Sequence, residues 1–247
     1  MKKRKKIVMD ATIADFQQER QPRDFRSSFP WRIFRIMSEF VEGWQFLADF
    51  HKTITVFGSA RTTEDDRWYK EARKLGGLLA KNEFSVVTGG GPGIMEAANR
   101  GAYENSGDSI GLDINLPFEQ KENSYVSKSI GFYHFFVRKV MLAYSARAYV
   151  FFPGGYGTID ELFEMLTLLQ TKKITKDIPV ILVGKDFWGP LVKWIEDDFI
   201  KNYKTASPED IHIFSLVDTA EEAFKIIKKA PERYEFDEYV THNKMHT

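Results

Sequence analysis

The sequence contains no cysteine among its 247 residues. Disulfide bonds, thiolate nucleophiles and cysteine-ligated metal centres are therefore excluded, and the composition fits a reducing compartment. The sequence also lacks any uncharged apolar run of about 18 residues, the length that a transmembrane helix needs. Because no histidine or carboxylate cluster has the spacing of metal ligands, we expect neither a metal ion nor another cofactor.

The chain has no excess of charge of either sign, because Lys plus Arg and Asp plus Glu each total 35. Without a global electrostatic field, neither nucleic acid nor an acidic membrane is an expected partner. The basic start, residues 1–6, lacks the apolar core of a signal peptide and is interpreted as a solvated tail. We therefore expect a cytoplasmic protein.

From residue 53 onward, short apolar runs bounded by glycine or proline alternate with helical segments. This alternation predicts an α/β domain with a parallel sheet and helices on both faces, in which ligands bind outside the carboxyl ends of the strands. The predicted strands are Ile54–Gly58, Ser85–Thr88, Ser109–Ile114, Gly131–Phe135, Ala148–Phe152, Pro179–Val183 and Ile213–Leu216. The predicted helices cover residues 66–81, 93–105, 158–171, 188–201 and 219–229, with another through 138–142.

A broad apolar stripe precedes this domain. From Trp31 to Phe50, apolar residues recur at helical spacing and predict an amphipathic helix. Its apolar face needs a cover, which is either the sheet domain of the same chain or a second subunit. The sequence leaves both open.

Two glycine-rich loops follow apolar strands and precede helices: G-G-G-P-G at 89–93 and P-G-G-Y-G-T at 153–158. Glycine lets backbone N–H groups converge on one point, and the helix behind adds the positive end of its dipole. Such loops bind anions, phosphate above all. Two of them in one domain indicate a phosphorylated small molecule held between strand ends.

Neither loop matches a common nucleotide signature. The first reads G-G-G-P-G rather than G-x-G-x-x-G, and no acidic residue ends a second strand in the expected way. The Walker lysine is absent from both loops. A nicotinamide dehydrogenase or an ATPase is therefore disfavoured, and a mononucleotide or a sugar phosphate remains.

The second loop leads into acidic residues with two interpretations. Thr158 and Glu161 have the T-x-x-E spacing of a capping box, in which Thr158 is the N-cap and the glutamate only satisfies backbone donors. Alternatively, a phosphate at this helix end would turn Glu161 toward the sugar of the ligand, where a glycosidic bond is open to attack. Asp160 and Glu164 also suit the positive end of the helix.

Two adjacent cations, Arg138 and Lys139, stand at the start of another predicted helix, where they oppose its dipole. A surface salt bridge is the default interpretation for Lys139. Arg138 follows the aromatic run Phe132–Phe136 and would extend from a strand end into the cleft, to clamp a carboxylate, a phosphate or the edge of a base.

On these residues the sequence resembles the LOG (LONELY GUY) family of cytokinin riboside 5′-monophosphate phosphoribohydrolases, once mislabelled lysine decarboxylases. The resemblance rests on P-G-G-Y-G-T-I-D-E at 153–161, on Arg138-Lys139 and on G-G-G-P-G-I-M-E at 89–96. The pair Asp160-Glu161 stands where plant-type members commonly have Glu-Glu, and a long N-terminal arm is typical of longer bacterial-type members.

The resemblance implies a domain organisation and an assembly. A basic tail and helical arm over residues 1–52 would precede a Rossmann-like, doubly wound nucleotide-binding catalytic domain over 53–230, with a C-terminal tail over 231–247. The family also implies a homo-oligomer, a dimer or larger, with the active site near a subunit interface.

The family motifs imply a set of site residues. Arg138 and Glu161 would be the catalytic pair, and Lys139 would lie beside the substrate. Glu119, in the segment L-P-F-E, and Thr167 match family positions that contact substrate. The implied substrate-binding residues are Gly90, Gly91, Glu119, Lys139, Gly154, Gly155, Tyr156, Gly157, Thr158, Ile159, Asp160 and Thr167.

The implied reaction is hydrolysis of a nucleoside 5′-monophosphate, a cytokinin riboside 5′-monophosphate or an AMP-like nucleotide, to free base and ribose 5-phosphate. Glu161 would stabilise the positive charge that develops on the sugar and help to activate water. Arg138 would meet the negative charge on the leaving purine.

Two other functional classes remain as alternatives. A non-catalytic nucleotide or cofactor carrier on the same fold would keep the glycine loops and would not need Arg138 and Glu161. A pyridoxal-phosphate decarboxylase needs a Schiff-base lysine and a partner for the pyridine nitrogen, and the sequence nominates neither.

Overall fold

The computed structural model describes residues 29–50, 52–114, 122–174 and 177–231. The chain divides into two compact units, Met1–Ser38 and Glu39–Thr247, of which the larger carries the sheet. Among the described residues, no helix combines the length and the apolar character needed to cross a membrane.

Seven strands of the described chain form one sheet, in the order β4-β3-β2-β1-β5-β6-β7. The strands are β1 (Thr53–Phe57), β2 (Ser85–Thr88), β3 (Ser109–Ile114), β4 (Lys128–Phe132), β5 (Ala148–Phe151), β6 (Val180–Val183) and β7 (Phe214–Val217). The α-helices are α1 (Phe29–Ala48), α2 (Arg67–Ala80), α3 (Ile94–Glu104), α4 (Phe135–Ser145), α5 (Tyr156–Gln170), α6 (Lys185–Trp194) and α7 (Ala220–Ile227). A π-helix over Ile195–Asn202 continues α6, and a 3-10 helix over Pro208–His212 precedes β7.

The predicted doubly wound α/β class is confirmed, since every neighbouring pair in the sheet is parallel. The chain adds β1 to β4 outward on one side and then returns to pair β5 with β1 on the other. Ligands bind at such a reversal of strand order, outside the carboxyl ends of the strands. A ligand site is therefore expected at the carboxyl ends of β1 and β5.

The central strands are recognisable in the sequence because they are covered on both faces. All residues of β1, β2, β5 and β6 are buried, so these strands are short, mostly apolar runs. Their side chains pack with apolar residues of α2, α3 and α7 in one core, which includes Ile54, Leu75, Val86, Ala98 and Val150.

The prediction for the fourth strand is wrong by three residues. The sequence predicted Gly131–Phe135, whereas β4 covers Lys128–Phe132 and His134 immediately precedes α4. β4 is an edge strand with mostly exposed residues, so it lacks the apolar run that marks its neighbours. Of the aromatic run Phe132–Phe136, Phe132 is the buried end of β4, and Phe135 and Phe136 are exposed residues at the start of α4.

The second half of α1 belongs to the larger unit and is anchored to the start of α4. The Glu39 carboxylate accepts the backbone N–H groups of Tyr133 and His134, at 3.2 and 3.1 Å. Gly43 is buried against the Met141 side chain. This part of the predicted amphipathic helix therefore packs on the sheet domain. Its contacts fix the N-terminal end of α4, the helix that contains Arg138.

Candidate active site at the carboxyl end of the sheet

Both glycine-rich loops lie at carboxyl ends of strands, the first after β2 and the second after β5. Ser59, which follows β1, joins them through its backbone. Its N–H donates to the carbonyl of Pro153 and its carbonyl accepts the N–H of Ile94, both at 3.0 Å. Gly93 adopts a φ of +72°, and a Cβ there would overlap the Ser59 carbonyl. The end of β1 therefore holds the two loops at a fixed separation.

A buried amide supports the first loop. The Nδ2 of Asn123 lies 3.0 Å from the carbonyl oxygens of Gly90 and Gly91 and from Oδ1 of Asn99. The Thr88 hydroxyl donates to Asn99 Oδ1 at 2.6 Å and accepts the N–H of Gly90 at 3.0 Å. The Gly90 N–H is thus engaged within the protein, and this network fixes the shape of the loop.

The second loop begins a helix that no side chain caps. Gly155 is the N-cap of α5, so the predicted capping box is wrong. Thr158 lies inside the first turn because the Tyr156–Gly157 pair joins the helix, and its buried side chain packs against Gly154. A Cβ on Gly155 or on Gly157 would meet no atom within 4 Å. The helix start therefore has no side-chain cap and has open space beside Gly155 and Gly157, as an anion site requires.

Glu161 lies one turn into α5 with only 14% of its side chain exposed. Its Oε1 is 3.8 Å from Nζ of Lys139, and its Oε2 is buried without a hydrogen-bond partner. Burial raises the pKa of Glu161 to about 7, although the positive charges of Lys139 and Arg138 oppose the rise. The arrangement leaves one carboxylate oxygen as an acceptor for a ligand.

Lys139 is surrounded by acidic residues of α5. Its ammonium forms ion pairs with Asp160, Glu161 and Glu164, the last at 2.9 Å. Burial lowers the pKa of Lys139, but the hydrogen bonds to Asp160 and Glu164 outweigh it and raise the pKa above its usual value. The side chain of Lys139 is 19% exposed and that of Asp160 is 67% exposed, so this pair is the surface salt bridge of the default interpretation, while Glu161 and Glu164 pair with the same ammonium at more buried positions.

Arg138 lies in the first turn of α4, rather than at a strand end, and extends over the first loop. Its Nε donates to the Leu112 carbonyl at 2.7 Å, and a Cβ on Gly89 would overlap its guanidinium. Burial lowers the pKa of Arg138, while the charges of Glu161 and Asp113 oppose the shift. The guanidinium therefore has a carboxylate at the α5 side of the cleft and another at the β3 side.

Sequence patterns did not indicate Asp113. It is the one partly exposed residue of β3, whose other five residues are buried. Its carboxylate lies against Gly90, where a Cβ would overlap it. Burial and a hydrogen-bonded carboxyl group of Glu122 raise the pKa of Asp113 to about 7, against the charge of Arg138. A charged residue within an apolar strand was the signal that could have found it.

The structure does not bring every predicted residue to one place. Thr167 lies six residues beyond Glu161 on α5, about 9 Å farther along the helix axis, and its hydroxyl donates to the Phe163 carbonyl at 2.7 Å. Glu119 lies outside the described residues. The remaining predicted residues of this segment, Gly154, Gly155, Tyr156, Gly157, Thr158, Ile159 and Asp160, form the loop and the first turns of α5.

Known proteins with similar sequences carry related names. The chain is 28% identical to a bifunctional cytokinin biosynthesis protein of Fusarium pseudograminearum, over 73% of this chain and 40% of that protein. It is 26% identical to a probable cytokinin riboside 5′-monophosphate phosphoribohydrolase of Oryza sativa subsp. japonica, over 79% of this chain and 78% of that protein. It is 27% identical to a pyrimidine/purine nucleotide 5′-monophosphate nucleosidase of Escherichia coli K12, over 72% and 40%. The chain thus spans less than half the length of two of these relatives.

Solved structures share the fold. TM1055, a structural-genomics target, is 26% identical and matches 72% of this chain and 99% of its own with a TM-score of 0.53. The molybdenum cofactor carrier protein of Chlamydomonas reinhardtii is 23% identical over 73% and 98%, with a TM-score of 0.55, and at this identity the likeness shows the fold alone. Residues 95–227, more than half of the chain, match the family described as possible lysine decarboxylase. With the second glycine loop, Arg138 and Glu161 inside that match, the chain belongs to this family, the LOG family.

Proposed function

We propose that the protein hydrolyses the N-glycosidic bond of a nucleoside 5′-monophosphate to free base and ribose 5-phosphate. The observation that carries the proposal is the unpartnered, buried oxygen of Glu161, one turn from an uncapped helix N-terminus. A phosphate bound at the helix end would bring the sugar of the same molecule to that carboxylate. Relatives named phosphoribohydrolase and nucleosidase support this reaction.

The chemistry divides between two side chains. Ionised Glu161 stabilises the positive charge that develops at C1′ as the bond to the base breaks, and it accepts a proton from the attacking water. Arg138, which lies over Gly89 with Glu161 facing it, meets the negative charge on the leaving base. The open backbone at Gly155 and Gly157 holds the phosphate, and this remote binding energy orients the sugar.

A nucleotide or cofactor carrier is the second candidate, because a molybdenum cofactor carrier protein has this fold. A carrier needs the glycine loops and gains nothing from a buried, unpartnered carboxylate oxygen, which destabilises the folded state. The position of Glu161 beside Lys139 and near Arg138 therefore favours the hydrolase.

The family description names a lysine decarboxylase, and the lysine of this site does not fit pyridoxal chemistry. A Schiff base forms from a neutral amine. The Lys139 amine is instead held as an ammonium ion by Asp160, Glu161 and Glu164. The arrangement supports no decarboxylation step through that cofactor.

Incubation of the purified protein with AMP and with isopentenyladenosine 5′-monophosphate, followed by chromatography of the bases, tests the proposal. The two nucleosides without phosphate are the controls. Base released only from the phosphorylated compounds supports both the reaction and the phosphate-binding role of the loops, and the rate ratio decides between AMP and the cytokinin. If a panel of purine and pyrimidine 5′-monophosphates yields no base, the hydrolase is excluded and the carrier is favoured.

The implied homo-oligomer is part of the proposal, and a cytoplasmic location remains a prediction. Val41 and Trp44 are large apolar residues of α1 with substantial exposure, which supports a contact between subunits. Light scattering of the wild type and of Trp44→Glu tests this. A dimer or larger assembly that dissociates in the variant is expected, whereas a monomeric wild type would contradict it.

A further inference from the structure

The order of the strands defines a direction along the site. β5, β1, β2 and β3 are consecutive neighbours in the sheet, and the second glycine loop follows β5. The ends of β5 and β3 are separated by three strand spacings of about 4.8 Å, or about 14 Å in total. A nucleotide has about this length, so a phosphate at α5 directs the base toward the ends of β2 and β3.

Two functional groups stand side by side at that base end. The Arg138 guanidinium lies over Gly89, and the Asp113 carboxylate lies over the next residue, Gly90. The bond from Arg138 Nε to the carbonyl of Leu112, the residue before Asp113, holds the guanidinium at the end of β3. Asp113 is also the one residue of β3 that is partly exposed.

The surroundings of Asp113 favour its protonated form. The Glu122 carboxyl group hydrogen-bonds with it and accepts the Ser129 hydroxyl at 3.0 Å. Two carboxyl groups in hydrogen-bond contact hold one proton between them more readily than two negative charges. Arg138 is the cation that faces Asp113, and burial together with Glu122 outweighs it, so that the pKa of Asp113 is about 7.

We propose that Asp113 is the general acid that protonates the leaving base, an inference that rests on the proposed hydrolysis and deepens it. The C1′–N bond breaks with its electron pair passing to the base, and the proton of Asp113 passes to a base nitrogen, N7 of a purine. The water oxygen bonds to C1′ and its proton passes to Glu161. Solvent then removes that proton and returns one to Asp113, so that one water is consumed and both carboxyl groups are restored.

Two substrates with different leaving groups distinguish a general acid at Asp113 from a structural or positioning residue. GMP must acquire a proton for its base to leave neutral. 7-Methylguanosine 5′-monophosphate already carries a positive charge on the base, so its base leaves neutral without a proton. Loss of a general acid therefore slows the first substrate and spares the second.

The experiment compares the wild type, Asp113→Asn and a control, Asp65→Asn, on both nucleotides. Asn keeps the size of the side chain and carries no transferable proton, and Asp65 is exposed outside the site. For Asp113→Asn we expect kcat on GMP to fall about a hundredfold or more, with kcat on the methylated nucleotide within about threefold of the wild type because proton donation is not needed there. The control should match the wild type on both.

Equal losses on both nucleotides would overturn the inference, because a structural or positioning role predicts them. The pH profile gives a second readout that does not require Asp113→Asn to fold. In the wild type we expect kcat/KM for GMP to fall above about pH 7, and Glu122→Gln should move this fall to lower pH because a negative neighbour of Asp113 is lost. An unmoved profile counts against Asp113. A wild type that releases base from no member of the panel of purine and pyrimidine 5′-monophosphates overturns the hydrolase itself, whatever the variants do.

Discussion

The Nζ of Lys139 lies 3.8 Å from one oxygen of Glu161, while the other oxygen of the same carboxylate is buried without a partner. The cation from α4 therefore orients the carboxylate, and the second oxygen is left for a ligand. Since Lys139 also pairs with Asp160 and Glu164, removing one α5 carboxylate leaves it two partners. Variants at Glu161 thus test chemistry more directly than folding.

We expect Glu161→Gln to remain folded and to lose at least about a hundredfold in turnover of the nucleotide substrate. The amide cannot carry the negative charge that opposes the developing charge on the sugar. Steady-state release of base, measured beside a thermal melt, checks this. Glu209→Gln, at an exposed glutamate outside the site, is the matched control. Near-normal turnover in Glu161→Gln would leave that residue with a structural role only.

The free energy of unfolding should depend on pH through the titration of Glu161. Its pKa is about 7 in the folded state against a usual value of 4.5, so the folded state binds the proton more tightly than the unfolded chain. The stabilising contribution is therefore complete below about pH 4.5 and declines as the pH rises to about 7. Relative to Glu161→Gln, the wild type should lose about 3 kcal/mol of unfolding free energy over this window.

Denaturant titrations of both proteins from pH 4.5 to pH 8 measure that difference. Asp113 titrates in both proteins, so its contribution largely cancels. A difference that stays constant with pH would show that Glu161 is not protonated in the folded protein at neutral pH.

Two adjacent glycines should respond differently to alanine. A Cβ at Gly155 meets open space, whereas a Cβ at Gly154 would lie 2.6 Å from Cβ of Thr158. We expect Gly154→Ala to lower the free energy of unfolding by about 1–3 kcal/mol through overpacking. Gly155→Ala should melt like the wild type and raise KM for the nucleotide about tenfold or more, because the methyl group occupies the phosphate position. An unchanged KM in Gly155→Ala would place the phosphate elsewhere.

The side-chain amide of Asn123 should contribute measurably to the stability of the folded protein. Asn123→Ala leaves the Gly91 carbonyl without its buried donor, while the Gly90 carbonyl keeps the Asn123 backbone N–H and the Asn99 oxygen keeps the Thr88 hydroxyl. The variant should lower the free energy of unfolding by about 1–3 kcal/mol. Asn82→Ala is the matched control, since that amide makes one exposed bond to the Leu78 carbonyl and its loss should change stability by about 0.5 kcal/mol or less. Equal effects in the two variants would show that the network under the first loop is not stabilising.

The sequence predicted the central part of the sheet well because burial on both faces leaves a clear pattern. β2 and β3 cover the predicted residues, Ser85–Thr88 and Ser109–Ile114. β1 is shifted by one residue toward the N-terminus, and β5 ends one residue earlier than predicted. At the edge of the sheet this pattern is absent, so β4 was misplaced. A short-range motif was misleading as well. T-x-x-E has the spacing of a capping box, but α5 begins at Tyr156, so Thr158 lies inside the helix and Gly155 is the N-cap.

The nearness of Arg138 to Glu161 was predictable from the family motifs, since each residue stands beside a recognisable signature. The support beneath it was not predictable. Asn99 and Asn123 are 24 residues apart and meet only when β3 and the first loop are in place. A polar residue in a helix or a loop usually faces solvent, so nothing in the sequence marks either amide as buried.

The link through Ser59 has a consequence for how members of such a family diverge. Both of its bonds, to Pro153 and from Ile94, use main-chain atoms and would persist with almost any side chain at that position. The gap between the two glycine loops is therefore set by peptide geometry, which substitution hardly touches. Side chains around the proposed base site can therefore change during evolution while the distance between the two glycine loops stays the same.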